Sequence, residues 1–146
     1  MPELPEVETV KEVLKRKVLN KTIKSVLVRY DGIVESPSVT DFTLKLSNQT
    51  IKYISRRGKW LIFELSDYYL LSHLRMEGKY FLKNSKDEYN KHEHVIFNFT
   101  DNTDLRYQDT RKFGKMLLVE KDKLNEARPI KELGLEPWDI NLTIGY

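Results

Sequence analysis

With 146 residues, 40% of them apolar and 32% charged, and only 6 glycines and 5 prolines, the chain has the size and composition of one folded domain rather than a disordered tail. It contains no cysteine, which excludes disulfides and thiolate zinc sites, and no apolar run near the roughly 18 residues that cross a bilayer. A net charge of +3 is a mild basic bias, compatible with a polyanionic partner without requiring one. Leu4, Val7, Val10, Leu14 and Val18 recur at three- and four-residue spacing and predict a helix over Glu3–Val18. Glu3, Glu6 and Glu8 crowd the positive end of its dipole, and Lys15, Arg16 and Lys17 the negative end. From Thr22 the period changes to two. Strands are predicted at Ile23–Tyr30, Phe42–Leu46, Gln49–Ser55, Trp60–Leu65, Tyr69–Leu74, Lys79–Lys83, Val95–Phe99, Leu105–Gln108 and Lys115–Glu120, where aromatic and β-branched residues dominate. A second helix is predicted over Asp122–Leu133, stopped by Gly134. The expected fold is mainly β: an antiparallel β-sandwich of about eight strands with an N-terminal and a C-terminal α-helix. Residues 1–136 read as one domain and 137–146 as the start of a linker. No basic stretch followed by an apolar one opens the chain, so a cytoplasmic protein is expected.

The chain begins Met1-Pro2-Glu3-Leu4-Pro5-Glu6-Val7-Glu8-Thr9. A methionine before a small residue is normally removed, which would leave Pro2 as the terminus. Its amine is secondary, so attack on an aldehyde carbon gives an iminium ion that cannot lose a proton to become a neutral imine. That electron sink stands one residue before a carboxylic acid, Glu3, and an amine beside an acid is a pair for covalent catalysis. An α-amine titrates near about 8 in its reference state, which leaves a useful neutral fraction at pH 7. With Met1 attached, the Pro2 nitrogen is an amide and no nucleophile. The ordinary reading of the same residues is a helix start, with proline and acids in the first turn.

Four more blocks carry chemistry-bearing residues, each with an ordinary alternative. Arg56-Arg57-Gly58-Lys59-Trp60 is a basic turn between strands, or a set of cations reaching adjacent phosphates. In Ser72-His73-Leu74-Arg75-Met76-Glu77-Gly78, Met76 is either core or a flexible apolar side chain on a turn, suited to fill the gap left by an extruded base. Lys91-His92-Glu93-His94 places two of the three histidines two apart, which on a strand puts both on one face and invites a metal reading. The lack of cysteine and the presence of only one other histidine weigh against it. In Leu105-Arg106-Tyr107-Gln108-Asp109-Thr110-Arg111-Lys112-Phe113-Gly114, Arg111 and Phe113 would point the same way along an extended segment. There an arginine can hydrogen-bond a base left without its partner while a phenylalanine wedges into the stack.

Taken in order, PELPEVET, R-R-x-K, the Met76 block, K-H-x-H-V and R-Y-x-D-x-R-[RK]-F-G make the chain resemble the formamidopyrimidine-DNA glycosylase family, bacterial enzymes that excise oxidised purines such as 8-oxoguanine. The likeness covers nearly the whole chain, but only the family's N-terminal domain. It implies a β-sandwich whose helix carries the catalytic terminus, with Pro2 as nucleophile and Glu3 as acid. Lys59 would contact the phosphate beside the lesion and assist β-elimination. His73 and His92 would contact DNA, and Met76, Arg111 and Phe113 would fill the void left by the flipped base. Glu6 and Glu77 would approach the lesion, although the family varies at Glu77. Thr110 departs from the proline that many members have. The implied partner is double-stranded DNA containing oxidised purines, met by a monomer at the bacterial nucleoid. No metal or cofactor is expected in these residues; the family's zinc belongs to a finger that follows a helix–two-turn–helix domain. A chain limited to the N-terminal domain has an alternative reading as a weak, non-catalytic DNA-binding module. The endonuclease-VIII-like branch, which opens P-E-G-P-E, fits this P-E-L-P-E less well.

Overall fold

A computed structural model of the chain describes residues 4–121, the first three of these by backbone alone. Helix α1 spans Leu4–Val18 and buries Val7, Leu14 and Val18 along one stripe, as the apolar spacing predicts. Nine strands follow: β1 (Ile23–Val28), β2 (Val34–Ser36), β3 (Tyr53–Arg57), β4 (Trp60–Glu64), β5 (Tyr68–His73), β6 (Lys79–Asn84), β7 (Glu93–Phe99), β8 (Thr103–Gln108) and β9 (Lys115–Glu120). A second helix, α2 (Val39–Leu46), lies between β2 and β3. The strands form a four-stranded sheet in the order β1-β7-β8-β6 and a five-stranded sheet in the order β2-β9-β5-β4-β3. Alternation sends Phe97, Phe99, Leu105 and Tyr107 from the first sheet, and Leu61, Phe63, Leu70, Met116 and Leu118 from the second, into one shared core. Ile62, Leu71 and Leu117, one position out of phase, make a small cluster on the outer face.

The two helices occupy the open sides of the sandwich. α2 packs on edge strands β1 and β2, and α1 packs on edge strand β3. Across from β3, Val10 and Val13 of α1 and Tyr80 and Phe81 of edge strand β6 frame an apolar cavity of about 330 Å³. Helices laid along edges cover the unpaired backbone groups that would otherwise recruit another chain.

Three departures from the sequence expectation have local causes. Phe42–Leu46 is helix, not strand. Ser38 caps it by accepting a hydrogen bond from the Asp41 amide (3.2 Å), and Phe42 and Leu46 face the core at four-residue spacing while Leu44 is 67% exposed. The apparent alternation of Phe42, Leu44 and Leu46 therefore has only two members that are buried. β2 was not anticipated, and it pairs parallel to β9 in an otherwise antiparallel sheet. Three residues are too few to show a period. The predicted Gln49–Ser55 strand begins only at Tyr53, with Thr50 reduced to a single bridge to Thr22. Pro2, Glu3, the predicted Asp122–Leu133 helix and the linker at 137–146 lie outside the described residues, as does the Glu6 side chain.

Candidate nucleic-acid interface

Strand register gathers the singled-out residues at one end of the sandwich. In the five-stranded sheet Trp60 pairs with His73 and His73 with Lys115, so the turn before Trp60, the turn after His73 and the loop before Lys115 emerge together. In the four-stranded sheet Lys79 pairs with Gln108 and Gln108 with Glu93, which brings Gly78, Asp109 and His92 to that same end. The connections β5–β6 and β8–β9 cross from one sheet to the other there. α1 starts at this end as well: Glu8 in its second turn accepts a hydrogen bond from Arg56 Nε (2.7 Å), near the tip of the β3–β4 hairpin. Lys59, His73, Met76, Glu77, His92, Arg111 and Phe113 are thus neighbours in space, although the last lies 54 positions from the first.

Cations and large apolar groups are prominent among the exposed side chains of this end, which also include Thr110. Met76 is 62% and Phe113 54% exposed, so neither is a core residue. The β3–β4 turn passes through Gly58 at φ 57°, a left-handed conformation that costs glycine nothing and leaves Arg57 and Lys59 flanking the tip. Arg75 takes the same conformation at φ 57°, in a turn closed by the Gly78 amide donating to Leu74 O (2.9 Å), with Met76 near its apex. Arg111 is exposed, and Lys112 Nζ lies 4.7 Å from the Tyr30 ring centre. At the other end, Lys21 is paired with Asp101 and Lys121 with Glu64.

Arg111 and Phe113 do not lie on an extended segment. Lys112 has φ 60°, so strand alternation does not set their direction. The loop is instead wound around the carboxylate of Asp109, which is wholly buried. Oδ1 accepts from the amides of Arg111 and Lys112 (3.1 Å each), and Oδ2 from the Gly114 amide (2.8 Å) and the Tyr107 hydroxyl (2.9 Å). The Asp109 amide donates to His92 O (3.0 Å), and its carbonyl accepts from His94 Nε2 (2.6 Å). Glu77 meets this loop through Thr110, whose hydroxyl donates to Glu77 Oε2 at 3.5 Å. Sequence reading passed over Asp109 and Tyr107; the only hint was their place inside the last motif.

The two histidines of the Lys91–His94 block do not share a face. His92 lies in the turn before β7, half-buried, with its amide donating to Asn90 Oδ1 (2.9 Å). His94 is buried and committed to the Asp109 carbonyl. Among the described residues no group of three His, Cys, Asp or Glu side chains is placed to hold a metal ion.

His73 ends β5 with its ring edge-on to Trp60 (centroids 5.0 Å apart) and Nδ1 accepting from the Arg75 amide (3.1 Å). Burial, then the charges of Arg75 and Lys59, hold the imidazole down at about 4. At neutral pH it is uncharged, with its proton on Nε2, and offers a neutral donor. The unfolded chain takes up this proton near the ordinary 6.5 and the folded one only near 4, so protons favour unfolding between those values. Stability from His73 is complete above pH 6.5 and is lost as pH falls toward 4. The lowered carboxyl groups of Glu8, Glu93 and Asp101 lose their contribution as pH falls into and through the ordinary carboxylate range, mostly below the His73 window. The thermal midpoint is therefore expected to fall between pH 6.5 and 4.5 in the parent and much less in His73→Gln; parallel curves for the two proteins would contradict this.

Residues 1–116 match the family model for the formamidopyrimidine-DNA glycosylase N-terminal domain. The chain belongs to the formamidopyrimidine-DNA glycosylase family. It is 55% identical over 137 residues to the formamidopyrimidine-DNA glycosylase of Enterococcus faecalis, a match covering 94% of this chain and 49% of that protein. It is 48% identical over 147 residues to that of Bacillus subtilis, covering 100% of this chain and 53% of the other. The chain spans about half the length of the curated relatives it matches. The fold matches the Lactococcus lactis family member solved with DNA containing Fapy-dG at a TM-score of 0.80 and 41% identity, over 85% of this chain and 46% of that one. The same enzyme with DNA containing an abasic site gives 0.81 and 40%, over 86% and 46%. The glycosylase-family match runs past Gly114, so every loop gathered at the basic end lies inside it.

Proposed function

We propose that the chain is the N-terminal catalytic domain, residues 1–136 with a linker beginning at 137, of a bifunctional DNA glycosylase/AP lyase that removes oxidised purines. The reading rests on one observation above the rest: exposed Met76, Arg111 and Phe113 stand beside Lys59 and His73 at one basic end of a family-matched sandwich. A damaged purine leaves the stack at a cost of a few kcal/mol, lower where the base is already destabilised. Met76 and Phe113 occupy the hole, and Arg111 offers planar donors to the base opposite. Lys59 and His92 bind the strand, and His73 contributes a neutral N–H to a phosphate oxygen. Pro2, freed of Met1, attacks C1′ of the sugar as the base departs, with Glu3 protonating the ring oxygen so that the ring opens. The resulting iminium acidifies C2′, and β- then δ-elimination break the strand. Glu6 and Glu77 are assigned to the lesion. The steps need no metal or redox cofactor, and structural zinc is assigned only to domains beyond this sequence. The working unit is taken as a monomer on duplex DNA in the bacterial cytoplasm, and no helix among the described residues is long and apolar enough to cross a membrane.

A second reading follows from the half-length match. Half of a duplex-binding cleft binds DNA at the non-specific level, roughly 10⁻⁴ to 10⁻⁶ M, without turnover. Borohydride trapping separates the two. The chain alone, processed to Pro2 as verified by intact mass, is expected to give little or no adduct with an 8-oxoguanine duplex. The same residues joined to the downstream half that their relatives carry are expected to give a strong one, mapped by peptide mass to the residue 2 nitrogen. An adduct mapped to a lysine instead would defeat the proposal. In binding assays Lys59→Ala should weaken affinity for every duplex and reduce the salt slope by about one. Arg111→Ala should relax the preference for the base opposite the lesion.

A further inference from the structure

We propose that Asp109 is the positioning residue of the DNA-reading loop: its buried carboxylate holds Arg111 and Phe113 in place and, through Tyr107, locks their loop to the turn that carries Met76. The inference rests on the DNA reading given above and adds to it a residue that touches no DNA. The carboxylate has two oxygens and receives four donors, three backbone amides within five residues and one phenol. A loop with Lys112 in the left-handed region has no regular ladder of its own, so these bonds supply its geometry.

Tyr107 makes the link between loops. It is fully buried, its ring lies 5.3 Å from that of Tyr80, and its hydroxyl is spent on Asp109. Burial, then the nearby Tyr80 and Asp109, push the phenol's pKa up, so it stays a donor. The same hydroxyl sits under both loops. A Cβ at Gly78 would come within 2.5 Å of it, and one at Gly114 would overlap it and lie 2.7 Å from Cζ. The Met76 turn and the Arg111–Phe113 loop therefore rest on one phenol. The backbone of Asp109 extends the knot, since its amide bonds the His92 carbonyl and its carbonyl the His94 ring. Three side chains that must enter the duplex together are mounted on one buried group.

Two near-isosteric substitutions test this in the 146-residue chain. Asp109→Asn presents an amide nitrogen to donors that need an acceptor. Tyr107→Phe removes one donor and leaves the carboxylate with its three amides. The readouts are the thermal midpoint, residue-resolved amide exchange, and the ratio of affinities for a duplex with an abasic analogue opposite cytosine and for the intact duplex. In Asp109→Asn, exchange at Arg111, Lys112 and Gly114 is expected to quicken about tenfold or more, while the paired amides of β7 and β8 keep their protection. The preference for the abasic duplex should fall to that of the Arg111→Ala/Phe113→Ala double variant, with affinity for intact duplex within about twofold, because the phosphate-binding cations are untouched. Tyr107→Phe should give a smaller change of the same kind. Unchanged exchange in Asp109→Asn overturns the proposal, and so does a retained abasic preference on a loosened loop. Should the parent show no abasic preference, the reading as a non-specific half-cleft holds for this chain alone, and exchange still decides whether Asp109 holds the loop.

Discussion

Arg106→Ala is expected to remove about 3–5 kcal/mol of folding stability, the scale for stranding a buried charge by deleting its partner. Arg106 is wholly buried, and each guanidinium nitrogen is engaged. Nε donates to Asp104 Oδ2 (3.0 Å), Nη1 to Glu93 Oε1 and Glu88 O (3.1 Å each), and Nη2 to Asp87 O (2.8 Å) and Asn84 O (3.3 Å). The guanidinium carbon lies 4.7 Å from the Tyr89 ring centre. Alanine would leave the Asp104 carboxylate with Ser85 and Asn98, Glu93 with Lys83 and the Asn90 amide, and Asn84 O with the Asp87 amide, while the carbonyls of Asp87 and Glu88 lose their Arg106 donor. Domains of this size hold only about 5–15 kcal/mol in total, so the loss should appear as a large drop in urea midpoint. The polar loop between β6 and β7, which leads to His92, should become the first segment cut by protease. A variant with Arg106, Glu93 and Asp104 all replaced by apolar residues of similar volume should recover much of the loss, because no charge is then stranded. A single Arg106→Ala variant within about 1 kcal/mol of the parent would show the pair to be far better solvated than its burial implies.

Gly114→Ala is the second large effect, and it joins stability to function. The new methyl would overlap the Tyr107 hydroxyl, lie 2.7 Å from Cζ and stand 3.0 Å from the His73 carbonyl. Tyr107 cannot yield, since its ring is packed on Tyr80 and its oxygen holds Asp109. Overpacking of a well-filled core costs typically about 1–3 kcal/mol, and a rigid neighbour puts this case at the upper end. The strain falls on the loop that presents Arg111 and Phe113, so affinity for an abasic duplex should drop more than stability alone would explain. Adding Tyr107→Phe should recover only part of either loss, because the ring carbon is itself too close. A Gly114→Ala protein with parental midpoint and parental affinity would mean that the loop has slack that this geometry denies it.

The sequence was most informative where a pattern repeats within a few residues. α1 was legible because five apolar positions share one stripe, and β4 to β9 because four to six alternating residues suffice to mark a face. The segment Phe42–Leu46 was misread because alternation and helical spacing coincide over five residues. The Ser38 cap that decides for helix lies outside the window. The candidate site divides in the same way. Lys59, His73, Met76, His92, Arg111 and Phe113 stood out as motif members, yet the direction inferred for Arg111 and Phe113 assumed an extended loop that Lys112 interrupts. The supposed shared face of His92 and His94 assumed a strand that begins only at Glu93.

By itself, then, the amino-acid order determined which residues are candidates for DNA chemistry and most of the stretches that take up helix or strand, because both are read from neighbours along the chain. Only the tertiary structure decided that loops separated by dozens of residues meet at one end, and that a single buried carboxylate shapes the foremost of them. Register between strands sets the first, and the convergence of four donors on Asp109 sets the second. The position of an acceptor relative to its donors is fixed by packing across the core, which no local pattern encodes.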